Sequence, residues 1–269
     1  MPWLNSLFHG VFARLTLSNG LIKTAGQNLV AATEFSVCSY NIHKGYRRIS
    51  HSVLSEIKNA LGQLNSDILC LQEVRGKDNH SQQDLCDQVA FISKGIWPYH
   101  SYGKNVDRRL THHGNAILSK LPIEKIDHLD ISTLRLSKRG VVVVRLPLGV
   151  VMICVHLGLL SHERNKQLIM IKQWINAHLA PETPIIMAGD FNDYSKRLDI
   201  EILKAGFCEV SSMNSGKRFK TYPSRLPLLP LDRIYFKHVN CVFSECMQAH
   251  PWPELSDHCA IRAVFTLNL

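Results

Sequence analysis

The run Pro184–Asp193, PIIMAGDFND, concentrates residue types able to do chemistry. Four apolar residues, Ile185 to Ala188, read as a short buried strand. Gly189 breaks the run, and Asp190, Asn192 and Asp193 follow at once. A carboxylate and an amide two residues apart are thereby held at the rim of a sheet, where a ligand can reach them. Asp and Asn after Gly also make an ordinary turn, so the pattern gains meaning only if it recurs. It does recur: Asn41, Glu73, His156, Asp232, Asp257 and His258 each stand where an apolar run stops or starts. Taken singly, each has a plain explanation. Asn41 suits a turn, Glu73 a surface charge, and His156 a satisfied core histidine. Asp232 could pair with Arg233 or another arginine, and Asp257 could cap a helix or shape a turn.

The elements that must position these residues alternate along the chain. Phe35–Tyr40 reads as a strand ending at Asn41. Val53, Leu54, Ile57, Ala60, Leu61 and Leu64 share one helical face, and Ile68–Leu71 is a second strand with Gln72-Glu73 at its end. Leu85, Val89 and Ile92 suggest a helix. A polar, basic stretch then runs from Tyr99 to His113, with Lys104, Arg108, Arg109, His112 and His113. Asn115–Ser119 is a strand. Val141–Val144 and Val150–Val155, joined across Gly149, look like a hairpin that delivers His156. Ser161 is placed as the N-cap of a helix over Leu168, Ile171, Ile175 and Leu179. Leu198, Ile202 and Leu203 form a short helix stopped by Gly206. Strands follow at 231–236 and 259–267, the first carrying Asp232 and the second preceded by Ser256-Asp257-His258. Strand, helix, strand in succession is the order of an α/β protein.

At 269 residues and 45% hydrophobic the chain is long enough to bury a full core. We read residues 34–269 as one domain and residues 1–33 as an N-terminal appendage. Those first 33 residues hold no acid, and Trp3, Leu4, Leu7, Phe8, Val11, Phe12 and Leu15 recur at helical spacing. One reading is an amphipathic helix in peripheral contact with a membrane; the simpler one is a helix docked on the core or a frayed extension. No apolar run is long enough to cross a bilayer. The eight cysteines include no C-x-x-C and read as reduced thiols, which points to the cytoplasm. A formal charge of +9 favours anionic partners: nucleic acid, anionic lipid headgroups or phosphorylated metabolites.

SYNIHKG, LCLQEV, GNAILSKLPI, CVHLG, MAGDFND, LDRIY and LSDHCAI occur in this order from Ser39 to Ile261. Together they resemble the endonuclease/exonuclease/phosphatase family of deoxyribonuclease-like fold, and NIHKG, HHGNA, KRG and LDRIY look most like a generally unassigned bacterial branch. The resemblance implies an α/β sandwich of four layers, with two mixed β-sheets packed face to face and helices outside. It implies Mg²⁺-dependent hydrolysis of phosphate esters, with Mn²⁺ as the other candidate metal. Carried over residue by residue, it makes Glu73, Asn41 and Asp257 the metal set. Asp190, Asn192, His156, Asp232 and His258 become the catalytic set, with Asp190 at the attacking water and Asp232 behind His258. Asn41 and Arg139 would meet the substrate phosphate, and Lys44, His112 and His113 could line the same cleft. One departure stands out: His43 occupies a place where some nucleases of the family carry an acid.

The expected activity is that of a phosphodiesterase, of nuclease or phospholipid-headgroup type. The alternatives are a phosphomonoesterase on a soluble ester and, from another class, a catalytically silent binding module, which would predict erosion of the key positions.

Overall fold

Four consecutive valines, Val141–Val144, illustrate how this fold is built. Side chains alternate across a strand, so a strand apolar on both faces must be covered on both faces. Val142 and Val144 pack in one core, while Val141 and Val143 pack in another. The computed structural model describes residues 32–48, 51–76, 87–108, 111–135, 137–195, 197–212 and 216–268. The appendage read at residues 1–33 lies, but for its last two residues, outside the described residues, as do Leu85, Cys86 and Arg109.

Two six-stranded mixed sheets are stacked face to face. The first contains β1 (Ala32–Asn41), β4 (Ile68–Arg75), β5 (Tyr99–Arg108), β6 (Thr111–Ser119), β13 (Asn240–Cys246) and β14 (Ile261–Asn268), in the order β13-β14-β1-β4-β6-β5. The second contains β7 (Glu124–Asp130), β8 (Gly140–Arg145), β9 (Val151–His156), β10 (Ile185–Asp190), β11 (Cys208–Glu209) and β12 (Asp232–Lys237), in the order β11-β12-β10-β9-β8-β7. A two-stranded ribbon, β2 (Tyr46–Arg48) with β3 (His51–Ser52), stands apart. Helices α1 (Leu54–Leu64), α2 (Gln88–Ser93) and α5 (Trp252–Leu255) contribute to the core on the outer face of the first sheet, and α3 (Ser161–His178) and α4 (Arg197–Lys204) to that of the second. The expected four-layer sandwich is what forms.

Each sheet is organised around one parallel pair, β1 with β4 and β9 with β10. A parallel pair needs a crossover, and α1 and α3 supply the two crossovers. Ligand groups in such units gather where the parallel strands end, and Asn41, His156 and Asp190 are the last residues of β1, β9 and β10. Between the sheets lies an apolar core that includes Val37, Cys70, Ile117, Met152, Ile186, Ile234 and Phe265.

Several local readings differ from the sequence analysis. The described residues of the basic stretch 99–113 lie in β5 and β6, and β7 and β13 occupy segments read without structure. β7 is nowhere fully buried, so its sequence lacks the apolar alternation that marks a strand. Ser161 is not the N-cap of α3; Leu160 holds that place, with no side-chain cap. The seven described cysteines are free, as expected.

Gly189 is the glycine on which this arrangement leans. Its φ of 151° and the approach of the Val155 carbonyl leave no room for a Cβ. Gly189→Ala should cost about 2–4 kcal/mol, read as a lower urea midpoint with an unchanged m-value. A loss under about 0.5 kcal/mol, the level of ordinary surface changes, would mean that β9 and β10 can separate without penalty.

Candidate active site

Strand register places three of the chemical residues side by side. Asp190 pairs with His156 on one neighbour and with Asp232 on the other. All three are buried. The first sheet closes the group from above: Asn41 Nδ2 donates to Asp190 Oδ2 at 3.1 Å, a contact between the two sheets. His258, just ahead of β14, completes it. Its Nδ1 lies 2.8 Å from Asp232 Oδ2, and its Nε2 lies 3.8 Å from Asp190 Oδ2. His156 Nε2 lies 3.5 Å from that same oxygen. One buried carboxylate oxygen is therefore ringed by an amide and two imidazoles.

The loop beyond β10 is shaped for this. Asp190 Oδ1 accepts from the Asn192 backbone N–H at 2.9 Å, and Asn192 Nδ2 donates to the Leu157 carbonyl at 2.9 Å. Asn192 has a φ of 50°, a left-handed conformation that Asn tolerates better than most residues. Asp193 turns away from the group and meets Arg164 and Arg233, each at 3.7 Å. The expected alternative, Asp232 paired with Arg233, does not occur: Arg233 reaches Asp193, Asp199 and the Tyr235 hydroxyl instead.

Burial and charge sort these groups electrically. Burial pushes the Asp190 carboxyl up to about 7, against the pull of the nearby His258 charge. Burial works against a charged His258, yet Asp232 and Asp190 raise it to about 10, so it is cationic at neutral pH. His156 is driven well below its usual range by burial and by the positive charges of Arg139, His258 and others. Two histidines on one carboxylate thus hold opposite protonation states.

Glu73 and Asp257 stand at the open side. β4 is interrupted between Leu71 and Val74, and Glu73 has a φ of 58° there. Such a bulge re-aims a side chain, and Glu73 is half-buried rather than packed inside. Its partner is Lys44, with Nζ 3.2 Å from Oε2. Asp257 is 2.9 Å from His43 Nδ1. Burial raises the Asp257 carboxyl, but the His43 hydrogen bond and nearby histidine charges outweigh it and hold it below its usual value. His43 and Lys44 belong to one tight turn, with φ of 44° and 59°. The buried Gln88 fixes that turn, donating to the Lys44 carbonyl at 2.6 Å and accepting from Arg75 N–H at 2.9 Å.

Hard oxygen donors suit a hard divalent cation. Glu73 and Asp257 fit that chemistry, both partly exposed and each neutralised by a basic side chain. A second grouping, Asp190, Asp232 and His258, brings three potential ligand atoms within 4.8 Å. The two groupings differ in exposure: Asp190, Asp232 and His258 are all buried, and His258 Nδ1 already bonds Asp232.

Arg139, at the end of the 131–139 connection, has a buried Nε with no hydrogen-bond partner among the described residues. Its charge, like those of His113 and Lys44, is felt at His156. His112 lies 2.9 Å from the Tyr102 hydroxyl. Three contributors escaped the sequence reading. Tyr222 sets its ring 5.0 Å from the His258 ring, and Thr221 Oγ1 accepts from Asp232 N–H at 3.1 Å. Ser256 Oγ donates to the Asn41 carbonyl at 2.7 Å. The only signal for Ser256 was its place in SDH; nothing in TYP distinguishes Thr221 or Tyr222 from loop residues.

Comparison with known proteins agrees with this fold. Residues 38–258 match the model of the endonuclease/exonuclease/phosphatase family. The chain is 35% identical over 243 residues to the uncharacterized protein YbhP of Escherichia coli (strain K12), covering 85% of this chain and 95% of YbhP. Among solved structures, an endonuclease/exonuclease/phosphatase from Beutenbergia cavernae superposes with a TM-score of 0.71 at 15% identity, covering 87% of this chain and 72% of that one. D. rerio TDP2 complexed with a single-strand DNA product superposes with a TM-score of 0.61 at 16% identity, covering 86% and 98%.

The His258–Asp232 contact yields a direct test. Because His258 lies above its usual 6.5 in the folded chain, its contribution to stability is complete below about 6.5 and is lost as pH rises through about 10. Asp232→Asn should drop the His258 pKa by at least about two units, followed by imidazole NMR. It should also flatten the loss of stability between those two pH values. A ring that remains cationic at the same pH in the variant would remove Asp232 as the cause.

Proposed function

The chain belongs to the endonuclease/exonuclease/phosphatase family, whose members are phosphoester hydrolases, and from that premise we propose that it is a Mg²⁺-dependent phosphodiesterase. The observation that carries the reading is the convergence of Asn41, His156 and His258 on one oxygen of Asp190, with Glu73 and Asp257 nearby at the open side.

In this reading Glu73, Asp257 and Asn41 hold the metal ion, Mg²⁺ or Mn²⁺. When bound, the metal neutralises charge on the phosphoryl oxygens. Asp190 orients the attacking water and takes its proton at Oδ2. A carboxyl near 7 suits that task, since a base works best when matched to the operating pH. His258, kept cationic by Asp232, faces the charge that grows on the phosphoryl group. Neutral His156 and the anchored amide of Asn192 donate hydrogen bonds to the same oxygens. Arg139 adds a charged N–H, its buried Nε being without a partner among the described residues. Lys44 screens Glu73 and is positioned to meet an anionic substrate.

None of the positions carried over from the family is eroded, which argues against a silent binding module. A chain with seven free thiols among its described cysteines suits the cytoplasm. Among the described residues no helix is long and apolar enough to cross a membrane. We further propose that residues 34–269, with Ala32 and Thr33 at the head of β1, are the catalytic domain and that the rest of 1–33 is an appendage to it.

The test is hydrolysis with Mg²⁺ and with EDTA across plasmid DNA, RNA, phospholipids and generic mono- and diesters. We expect diester cleavage that EDTA abolishes and that Glu73→Ala reduces by at least about 100-fold, with the melting temperature retained. Phosphate release from monoesters alone would replace the diesterase reading. Unchanged turnover in Glu73→Ala would refute the metal assignment.

A further inference from the structure

The end of the second sheet that carries His156, Asp190 and Asp232 also carries an apolar rim that the proposed chemistry leaves unused. Leu159, in the connection from β9 to α3, is 65% exposed. Tyr194, just beyond Asp193, is 63% exposed, and Leu226 and Leu228, in the connection into β12, are 66% and 54% exposed. Three separate connections place large apolar side chains in solvent beside one site.

These connections are fastened to one another. Buried Arg164 donates to the Leu159 carbonyl at 2.5 Å and lies 5.6 Å from the Tyr194 ring centroid. Buried Arg233 donates to the carbonyls of Asp193 at 2.5 Å and Pro230 at 3.1 Å. Asp193 faces both arginines. The rim is also joined to the site. Tyr222, whose ring lies against His258, accepts from the backbone N–H groups of Leu228 and Leu229 at 2.9 and 2.8 Å. Ser224 N–H donates to the Asp257 carbonyl at 2.8 Å. A cavity of about 290 Å³ opens between this loop and the site, lined in part by His43, Pro223, Arg225 and Asp257.

The connection into β12 is itself basic, with Arg225 paired to Glu254 at 2.8 Å. From Val210 to Leu231 the sequence contains no Asp or Glu, and Lys217 and Lys220 are exposed there. We infer that this rim seats the site on an anionic lipid bilayer, so that the phosphodiester it receives is carried by a lipid. Leu159, Leu226 and Leu228 enter the acyl boundary, Tyr194 stands at headgroup level, and the lysines meet anionic headgroups. A bilayer accepts isolated leucines one by one, whereas a protein partner must supply a complementary pocket for each. Single-stranded nucleic acid binds through aromatic stacking platforms, and of these four side chains only Tyr194 has an aromatic face. The inference rests on the phosphodiesterase reading for the bond that is cut, and not for the docking itself.

The test is co-sedimentation of the full chain with phosphatidylcholine vesicles and with mixed phosphatidylcholine/phosphatidylglycerol vesicles. We expect binding to the mixed vesicles only. The double variant Leu226→Ser/Leu228→Ser should lower the bound fraction at least about tenfold. Its melting temperature and its hydrolysis of a small soluble diester should stay unchanged. Binding that is absent from both vesicles, equal on both, or intact in the double variant overturns the inference. So does binding of a single-stranded oligonucleotide that the double variant loses while vesicles bind neither protein. Vesicle binding without any diester hydrolysis would overturn the proposed function and leave the docking standing.

Discussion

The carboxylate of Asp190 is buried between two sheets, and three other side chains are organised by its charge. Removing a carboxylate from water is costly unless hydrogen bonds and opposite charge compensate. Here the compensation comes from opposite sides of the molecule: Asn41 from the first sheet, His258 from the segment before β14, and His156 from the adjoining strand. The compensation is partial, and burial still holds the carboxyl near 7. A fully satisfied aspartate would be inert as a base. The architecture that brings the sheets together thus also sets the proton affinity of the group between them.

The same economy of means governs the open side. One turn carries His43 and Lys44 in left-handed conformations and aims them at Asp257 and Glu73. Two carboxylates are screened by residues adjacent in sequence, and Gln88 ties that turn to the strand carrying Glu73. The departure noted in the sequence, a histidine where some nucleases have an acid, thereby acquires a structural role as partner to Asp257. On the far side of the Asp190 loop, Arg164 and Arg233 hold Asp193 and lock the turn that presents Asn192. Electrostatic preorganisation of this kind needs no rearrangement as charge develops on a substrate.

Much of this was legible in the chain. Buried strands such as Val141–Val144 and Ile185–Ala188 announce themselves because both faces are apolar, and the candidate site residues stand out because apolar runs stop at them. What was missed follows from the same logic. The exposed strand β7 and the basic hairpin β5–β6 carry polar residues that mask their pairing. The N-cap at Ser161 was expected from residue type, whereas the chain enters α3 one residue earlier through an extended Leu160. Tyr222 and Gln88 act through contacts with residues far away in sequence, and no local pattern encodes such contacts. Asp232 was assigned correctly to His258 only through the family resemblance; its neighbour Arg233 offered an equally good partner on paper.

The central claim, that Asp190 is held half-way between acid and base by its burial, is open to carboxyl-carbon NMR. Titration of the labelled full chain should show one aspartate carboxyl changing state at about 7, and Asp190→Asn should remove that transition. If every aspartate titrates below about 5, near the ordinary range, the carboxylate is fully compensated and the account of the site is wrong.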